Sequence, residues 1–266
     1  MRLRTLLVFV LLLGCAAFAR AGSVYLEDLT WTELRDAIRA GSTTVIVPAG
    51  GTEQNGAHMT LGKHNARARL LAGRIAEAVG HTVVAPVLAY VPEGSIAPPA
   101  AHMRFAGTIS ISDEAFRATL EGAARSLRQH GFKDIVLIGD HGGYQAQLEA
   151  VAKRLNRDWA GTDARAHYVA AYYRSSQDAF AAALRAQGLS QAQIGIHAGS
   201  ADTSLQLALA PDTVRADRLA DAAQGGLAAG VAGDPRAATV ALGQTGVEMI
   251  VTQSAAAIRA ALAPRR

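Results

Sequence analysis

The chain reads as an α/β layered domain on a mostly parallel sheet. Three observations predict this. Short apolar, β-branched runs alternate with segments of helical period. Those runs lack the polar alternation of a sheet with one wet face, so both faces are covered. The polar motifs fall just after the apolar runs, where ligands bind in open α/β sheets.

Residues 43–47 form the first β-branched run, stopped by Pro48 and two glycines, Gly50 and Gly51. Residues 66–79 have helical spacing, with Leu70, Leu71, Ile75 and Ala78 on one side. Residues 82–88 read as a strand that Pro86 places near an edge. The segment 92–107 carries Pro92, Pro98 and Pro99 without a period and reads as a functional loop. Residues 108–112 alternate as a short strand. Asp113 then caps a helix to about His130 that faces inward with Phe116, Leu120, Ala123 and Leu127. Residues 134–139 are a buried-strand run, followed by a helix over 144–157 and a fourth core strand over 168–172. Helices are expected over 176–187, 213–230 and 244–262.

At 266 residues, 50% hydrophobic and 18% charged, the chain can bury a core and is not disordered. Residues 1–21 read as a signal peptide: a basic start, an apolar run over 5–13 and a small-x-small step before Gly22. The domain division is therefore 1–21 signal and 22–266 a single domain, with export to a periplasm or beyond. Leu12-Leu13-Gly14-Cys15 also resembles a lipobox, and lipidation at Cys15 is the alternative that brings in a membrane. Either way no disulfide forms, because Cys15 is the one cysteine. Removing residues 1–21 takes away Arg2, Arg4 and Arg20, so the formal charge falls from +4 to +1. No basic cluster with interleaved aromatics remains, which excludes nucleic acid as a partner. No Gly-x-Ser-x-Gly elbow, P-loop or Gly-x-Gly-x-x-Gly unit is present.

Metal-type donors concentrate in three segments. Residues 51–64 carry Glu53, Asn55, His58 and His64; residues 139–143 are Gly-Asp-His-Gly-Gly; residues 196–204 carry His197 and Asp202. Imidazole and carboxylate donors from several strand ends suit zinc-like ions. Spacing alone also allows glycines that serve turns and histidines that brace loops.

Together the segments resemble the creatininase (creatinine amidohydrolase) family. Its Gly-x-x-Glu-Gln-His-Gly-Pro-His-Leu-Pro-Leu-x-x-Asp loop is matched by residues 50–64, Gly-Gly-Thr-Glu-Gln-Asn-Gly-Ala-His-Met-Thr-Leu-Gly-Lys-His. Its Phe-Pro-Gly-Thr-Ile-Ser is matched at 105–110 behind His102, and its Asn-Gly-His-Gly-Gly-Asn at 139–144. Its His-Ala-Gly-x-x-Glu-Thr-Ser is matched at 197–204, and Gly233-Asp-Pro-Arg236 also resembles a family feature. The resemblance implies a three-layer α/β/α fold and a homo-oligomer, often a hexamer. It also implies hydrolysis of a C–N bond in a small, often cyclic, amide, with zinc or manganese.

Carried over by position, the resemblance makes Glu53 and His141 metal ligands and His197 an acid/base. Two ligand positions depart. Asn55 replaces a His, and His64 replaces the Asp that bridges two metals. An imidazole brings one nitrogen and no negative charge, so it does not take over bridging. The expectation is one ion per subunit, zinc before manganese, on Glu53, His64 and His141. Asp202 is then a further ligand or orients a ligand histidine. Metal-activated water is the nucleophile. His58, His102, Asp140 and Tyr144, with Asn55, are candidates for supporting or substrate contacts. The alternative is a non-catalytic member that binds a ligand or partner.

Overall fold

A computed structural model describes residues 22–263. Its core is a four-stranded, wholly parallel sheet in the order β2-β1-β3-β4. The strands are β1 Thr44–Ala49, β2 Thr82–Val84, β3 Asp134–Gly139 and β4 Arg165–Tyr168. β1 and β3 pair along their full length, from Thr44 opposite Asp134 to Ala49 opposite Gly139.

Period-2 alternation sends successive side chains to opposite faces. Val45, Val47, Ile135 and Leu137 join one apolar cluster, and Ile46, Val136 and Ile138 join the other. The first face is covered by α3 (Asp113–Gln129) and α4 (Gln145–Asp158), through Phe116, Leu120, Leu148 and Leu155. The second is covered by α2 (Lys63–Val79) and α10 (Val240–Leu262), through Leu71, Ile75, Val247 and Ile250. The fold is α/β, as the alternation of runs and periods predicts.

Several elements differ from the sequence reading. Residues 168–172 are not a strand: β4 ends at Tyr168, and α5 (Ala170–Arg174) begins two residues later. The apolar run is a strand end and a buried helix start, which periodicity cannot separate. Residues 108–112 make only isolated bridges, Thr52–Ile109 and Val91–Ser110, because the sheet is already complete. Ser112, not Asp113, caps α3, accepting from Ala115 N. The span 213–230 breaks into 3-10 turns around α9 (Leu219–Gly225), since three glycines interrupt it. α1 (Trp31–Arg39), with a Thr30–Glu33 capping box, α7 (Gln191–Ile194) and α8 (Ser200–Leu209) are helices that the pattern alone did not single out, and α6 (Phe180–Ala186) falls inside the expected 176–187.

The topology places the ends of β1 and β3 side by side. The loop after β1 runs over residues 50–62 and enters α2 directly, so its far end returns to the same sheet edge. Tyr144 fastens the two strand ends together. Its hydroxyl lies 2.9 Å from Ala49 O and 2.6 Å from Gly50 O, and accepts from Asp140 N and His141 N. It is fully buried, which makes it a brace and not a substrate contact.

Candidate metal centre

Glu53 is the hub of this edge. It is 0% exposed and four histidines surround it. Its Oε1 lies 2.6 Å from His64 Nε2 and 3.6 Å from His197 Nδ1. Its Oε2 lies 3.2 Å from His102 Nε2 and 3.4 Å from His141 Nε2, without a hydrogen bond of proper geometry. Burial raises a carboxyl pKa, but His64, Lys63 and His141 more than offset that and hold Glu53 well below its usual range.

On one side lies an ion network. His64 and Arg67 sit in the first turns of α2, after Lys63. Lys63, 1% exposed, reaches Glu53 at 3.6 Å and Asp202 at 3.4 Å. Arg67 bonds Asp140 at 2.8 Å and Asp202 at 2.7 Å. Both carboxyls are held low by these partners against the opposing effect of burial. His64 bridges Asp140, at 2.5 Å, and Glu53.

This network revises the donor set read from sequence. Both ring nitrogens of His64 are occupied by carboxylates, leaving none for a cation. Asp202 is already matched by two protein cations and by Ala198 N. Asp140 likewise serves His64, Arg67 and Tyr172.

On the other side lie donors that, Glu53 apart, pair with no lysine or arginine among the described residues. Glu53, Glu93 and His141 each offer an atom within 4.8 Å of the others, and so do Glu53, His102 and His197. Glu93 comes from the 92–107 loop and was not singled out from sequence. Its only signal was a carboxylate in a long proline-bearing loop. Both its oxygens are buried without a hydrogen-bond partner, and Oε2 lies 3.3 Å from His141 Nε2. Burial, then the neighbouring Glu53, pushes its carboxyl up to about 10. Gly51 makes room for it: at φ +149° its added Cβ would stand 2.3 Å from Glu93 Oε1.

The histidines are oriented by their other nitrogens. His141 Nδ1 accepts from Gly143 N, so its Nε2 hydrogen points between Glu53 and Glu93. A cation there would need the Nδ1–H tautomer, which gives up the bond from Gly143 N. His197 Nε2 donates to Gln54 O at 3.0 Å, which leaves an Nδ1 lone pair facing Glu53. The Gln54 amide donates to His102 Nδ1 and Gly230 O, both at 3.0 Å. Gln54 thus sets two rings at once, a role invisible before the fold. Burial lowers His141 to about 3 and His197 to about 4, and it also lowers His102. Neutral imidazoles are the form that binds a metal.

Two expected residues are braces. Asn55 donates to Glu53 O and Thr60 O within its own loop. His58 is buried against Thr203 Oγ1 at 2.9 Å.

The donor set of two carboxylates and neutral imidazoles, with orphaned oxygens, fits a divalent ion. A cavity of about 230 Å³ opens beside it, lined by both the ion network and His102, His141 and His197.

Comparisons with known proteins give the family. Creatinine amidohydrolase of Pseudomonas putida is 30% identical over 204 residues, 75% of this chain and 76% of the relative. The mycofactocin precursor peptide peptidase of Mycolicibacterium smegmatis is 33% identical over 221 residues, 75% of this chain and 78% of the relative. A solved structure described as "Creatininase Mn" superposes with a TM-score of 0.74 at 27% identity, covering 91% of this chain and all of the other. The sequence profile of the family, described as creatinine amidohydrolase, matches residues 27–258, and the chain belongs to the creatininase family.

Proposed function

We propose that the protein is a metal-dependent hydrolase that cleaves the C–N bond of an amide in a small molecule, with one divalent ion per subunit, zinc or manganese. The ion is held by Glu53, Glu93 and His141. The observation that carries this reading is the set of orphaned carboxylate oxygens, Glu93 Oε1 and Oε2 and Glu53 Oε2, converging with His141 Nε2. Buried carboxylate oxygens without partners are costly, and a cation relieves that cost. The hydrolytic names of the relatives support the reaction class.

A divalent ion in such a site lowers the pKa of water to roughly 7 and polarises a carbonyl. The chain's own groups do the rest. His197 presents an Nδ1 lone pair beside Glu53 and is the group placed to accept a proton and return it to the leaving nitrogen. His102, its ring centroid 4.5 Å from that of His197, walls the same gap. Tyr144 and Gln54 fix the loops that carry these groups. Lys63 and Arg67 fill the far side of Glu53 with positive charge, which favours a single ion.

Export and assembly complete the proposal. The signal peptide reading at residues 1–21, with its Cys15 alternative, lies outside the described residues and places the protein in the periplasm or beyond. The family resemblance points to a homo-oligomer, a hexamer. Among the described residues no helix is long and apolar enough to cross a membrane.

The test is elemental analysis of residues 22–266 beside Glu93→Gln and a Glu53→Ala, His141→Ala double variant. About one zinc or manganese per chain is expected, with affinity weakened about tenfold or more in Glu93→Gln. No ion after incubation with either metal would overturn the hydrolase reading in favour of a non-catalytic binder. Two ions per chain would overturn the single-site assignment.

A further inference from the structure

Lys63 breaks two local rules. It is the first residue of α2, where the helix dipole disfavours a cation, and no acidic residue stands in that first turn to offset it. It is also 1% exposed, an uncommon state for a lysine. Local rules broken at one residue mark a functional position more often than a structural one. Its bonding differs from that of Arg67, the other cation of the network. The Arg67 guanidinium engages Asp140, Asp202 and His64. Lys63 Nζ makes one hydrogen bond among the described residues, a long one of 3.4 Å to Asp202, and lies 3.6 Å from Glu53 Oε1. An ammonium carries three N–H donors, so two remain for another acceptor. Lys63 also lines the cavity of about 230 Å³ that has His102, His141 and His197 in its wall. It approaches the same carboxylate oxygen as His197, for Glu53 Oε1 lies 3.6 Å from Lys63 Nζ and 3.6 Å from His197 Nδ1.

We propose that Lys63 is a catalytic residue: its ammonium donates to the carbonyl oxygen of the amide being hydrolysed and holds the negative charge that develops there. This rests on the hydrolase reading and adds a residue to that site. Water adds to the carbonyl carbon, one of its protons passes to His197, and the carbonyl π pair moves onto the oxygen that Lys63 holds. The pair then returns, the C–N bond breaks, and the proton on His197 goes to the nitrogen. Lys63 keeps its proton throughout, so one water is consumed and an acid and an amine are released. A fixed donor in a buried site acts far more strongly than the same donor in water and needs no reorganisation as the charge forms.

The experiment uses the zinc-loaded chain of residues 22–266, with acetate, creatinine and hydantoin as probes. Acetate presents the carboxylate oxygens of a hydrolysed amide. The chain has three lysines, Lys63, Lys133 and Lys153, so their side-chain ammonium signals can be told apart by NMR after lysine labelling. Acetate is expected to shift the Lys63 signal and to leave Lys133 and Lys153 unmoved. Acetate affinity is then measured by calorimetry in Lys63→Met, in Lys63→Arg and in the double variant Lys63→Met, Asp202→Asn, with zinc content and urea stability beside it. The double variant removes the carboxylate that Lys63→Met leaves unmatched. If Lys63 only balanced Asp202, that second change would restore every property. It is expected instead to restore stability and keep the zinc content of wild type, yet to bind acetate about tenfold or more weakly and to open either ring with kcat lowered about a hundredfold. Lys63→Arg, which keeps the charge, should hold more acetate affinity than Lys63→Met. Two results overturn the role of Lys63 and leave the hydrolase standing: a Lys63 signal that acetate does not move in wild type, or a double variant that binds acetate as wild type does. The acetate results decide for Lys63 even where neither ring is opened. A chain that takes up no ion overturns the hydrolase reading and this proposal with it.

Discussion

The two sides of Glu53 differ in what balances their charge. Toward α2, three carboxylates meet protein cations: Glu53 and Asp202 face Lys63, and Asp140 and Asp202 face Arg67. Toward the 92–107 loop, Glu93 faces Glu53 and His141, with no lysine or arginine paired to it among the described residues. The first side is complete without any added ion. The second gathers Glu93 and His141 on the same Glu53 without a lysine or arginine paired to either among the described residues. One buried residue separates a structural ion network from the group proposed to hold an ion, and the difference lies in whether a side chain or a solute supplies the positive charge.

The largest effect that could break this contrast is at Lys63. Lys63→Met leaves Glu53 and Asp202 without their shared cation in a buried setting, and is expected to destabilise by about 3–5 kcal/mol in urea unfolding. A loss below about 1 kcal/mol would show that the network is not closed as described.

Glu93 sharpens the contrast through pH. Its folded pKa, about 10, lies above its unfolded value, so above pH 4.5 the unfolded chain releases a proton that the folded chain keeps. Metal-free stability therefore falls as pH rises toward 10, by at most about 1.4 kcal/mol per unit for this group. Glu93→Gln removes that slope, so the difference between wild type and variant grows between pH 5 and 9. A bound divalent ion should cancel it in the wild type. Parallel unfolding curves at pH 5 and 9 would refute the assignment.

A backbone change reaches the same oxygens. Gly51→Ala combines a φ of +149° with a Cβ contact on Glu93, and is expected to cost about 1–3 kcal/mol and weaken metal binding. Retained metal affinity would show that Glu93 holds no ion.

The smallest effect is at His58, a buried imidazole held at about 4 by burial, outside both donor groups. Its folded pKa lies below its unfolded value, so its stabilising contribution is present above about 6.5 and lost as pH falls through 4. His58→Gln should flatten acid unfolding in that window by at most about 1.4 kcal/mol per pH unit while leaving metal content unchanged. Loss of metal would move His58 into the site.

The segments that carry the site were legible in the sequence because each follows an apolar run. A loop leaving the carboxyl end of a parallel strand reaches the ligand edge whatever its details, so Glu53 and His141 could be placed by position. The motif order identified the family for the same reason. What position did not give was each residue's partner. His64 and Asp202 have ligand-type side chains, and nothing in their spacing says that Lys63 and Arg67, on the same helix as His64, match the charge around them. Glu93 lies outside every motif, and only the folded loop brings it to His141.

The alternation of short buried runs and helical periods determined an α/β sheet with its polar motifs on one edge. That is local information, fixed by side-chain periodicity and by glycine-marked turns. The tertiary structure alone decided which carboxylates are already neutralised and which stay open. Charge balance in a buried site depends on distances of a few ångströms between segments far apart in the chain, where the low dielectric makes each partner count.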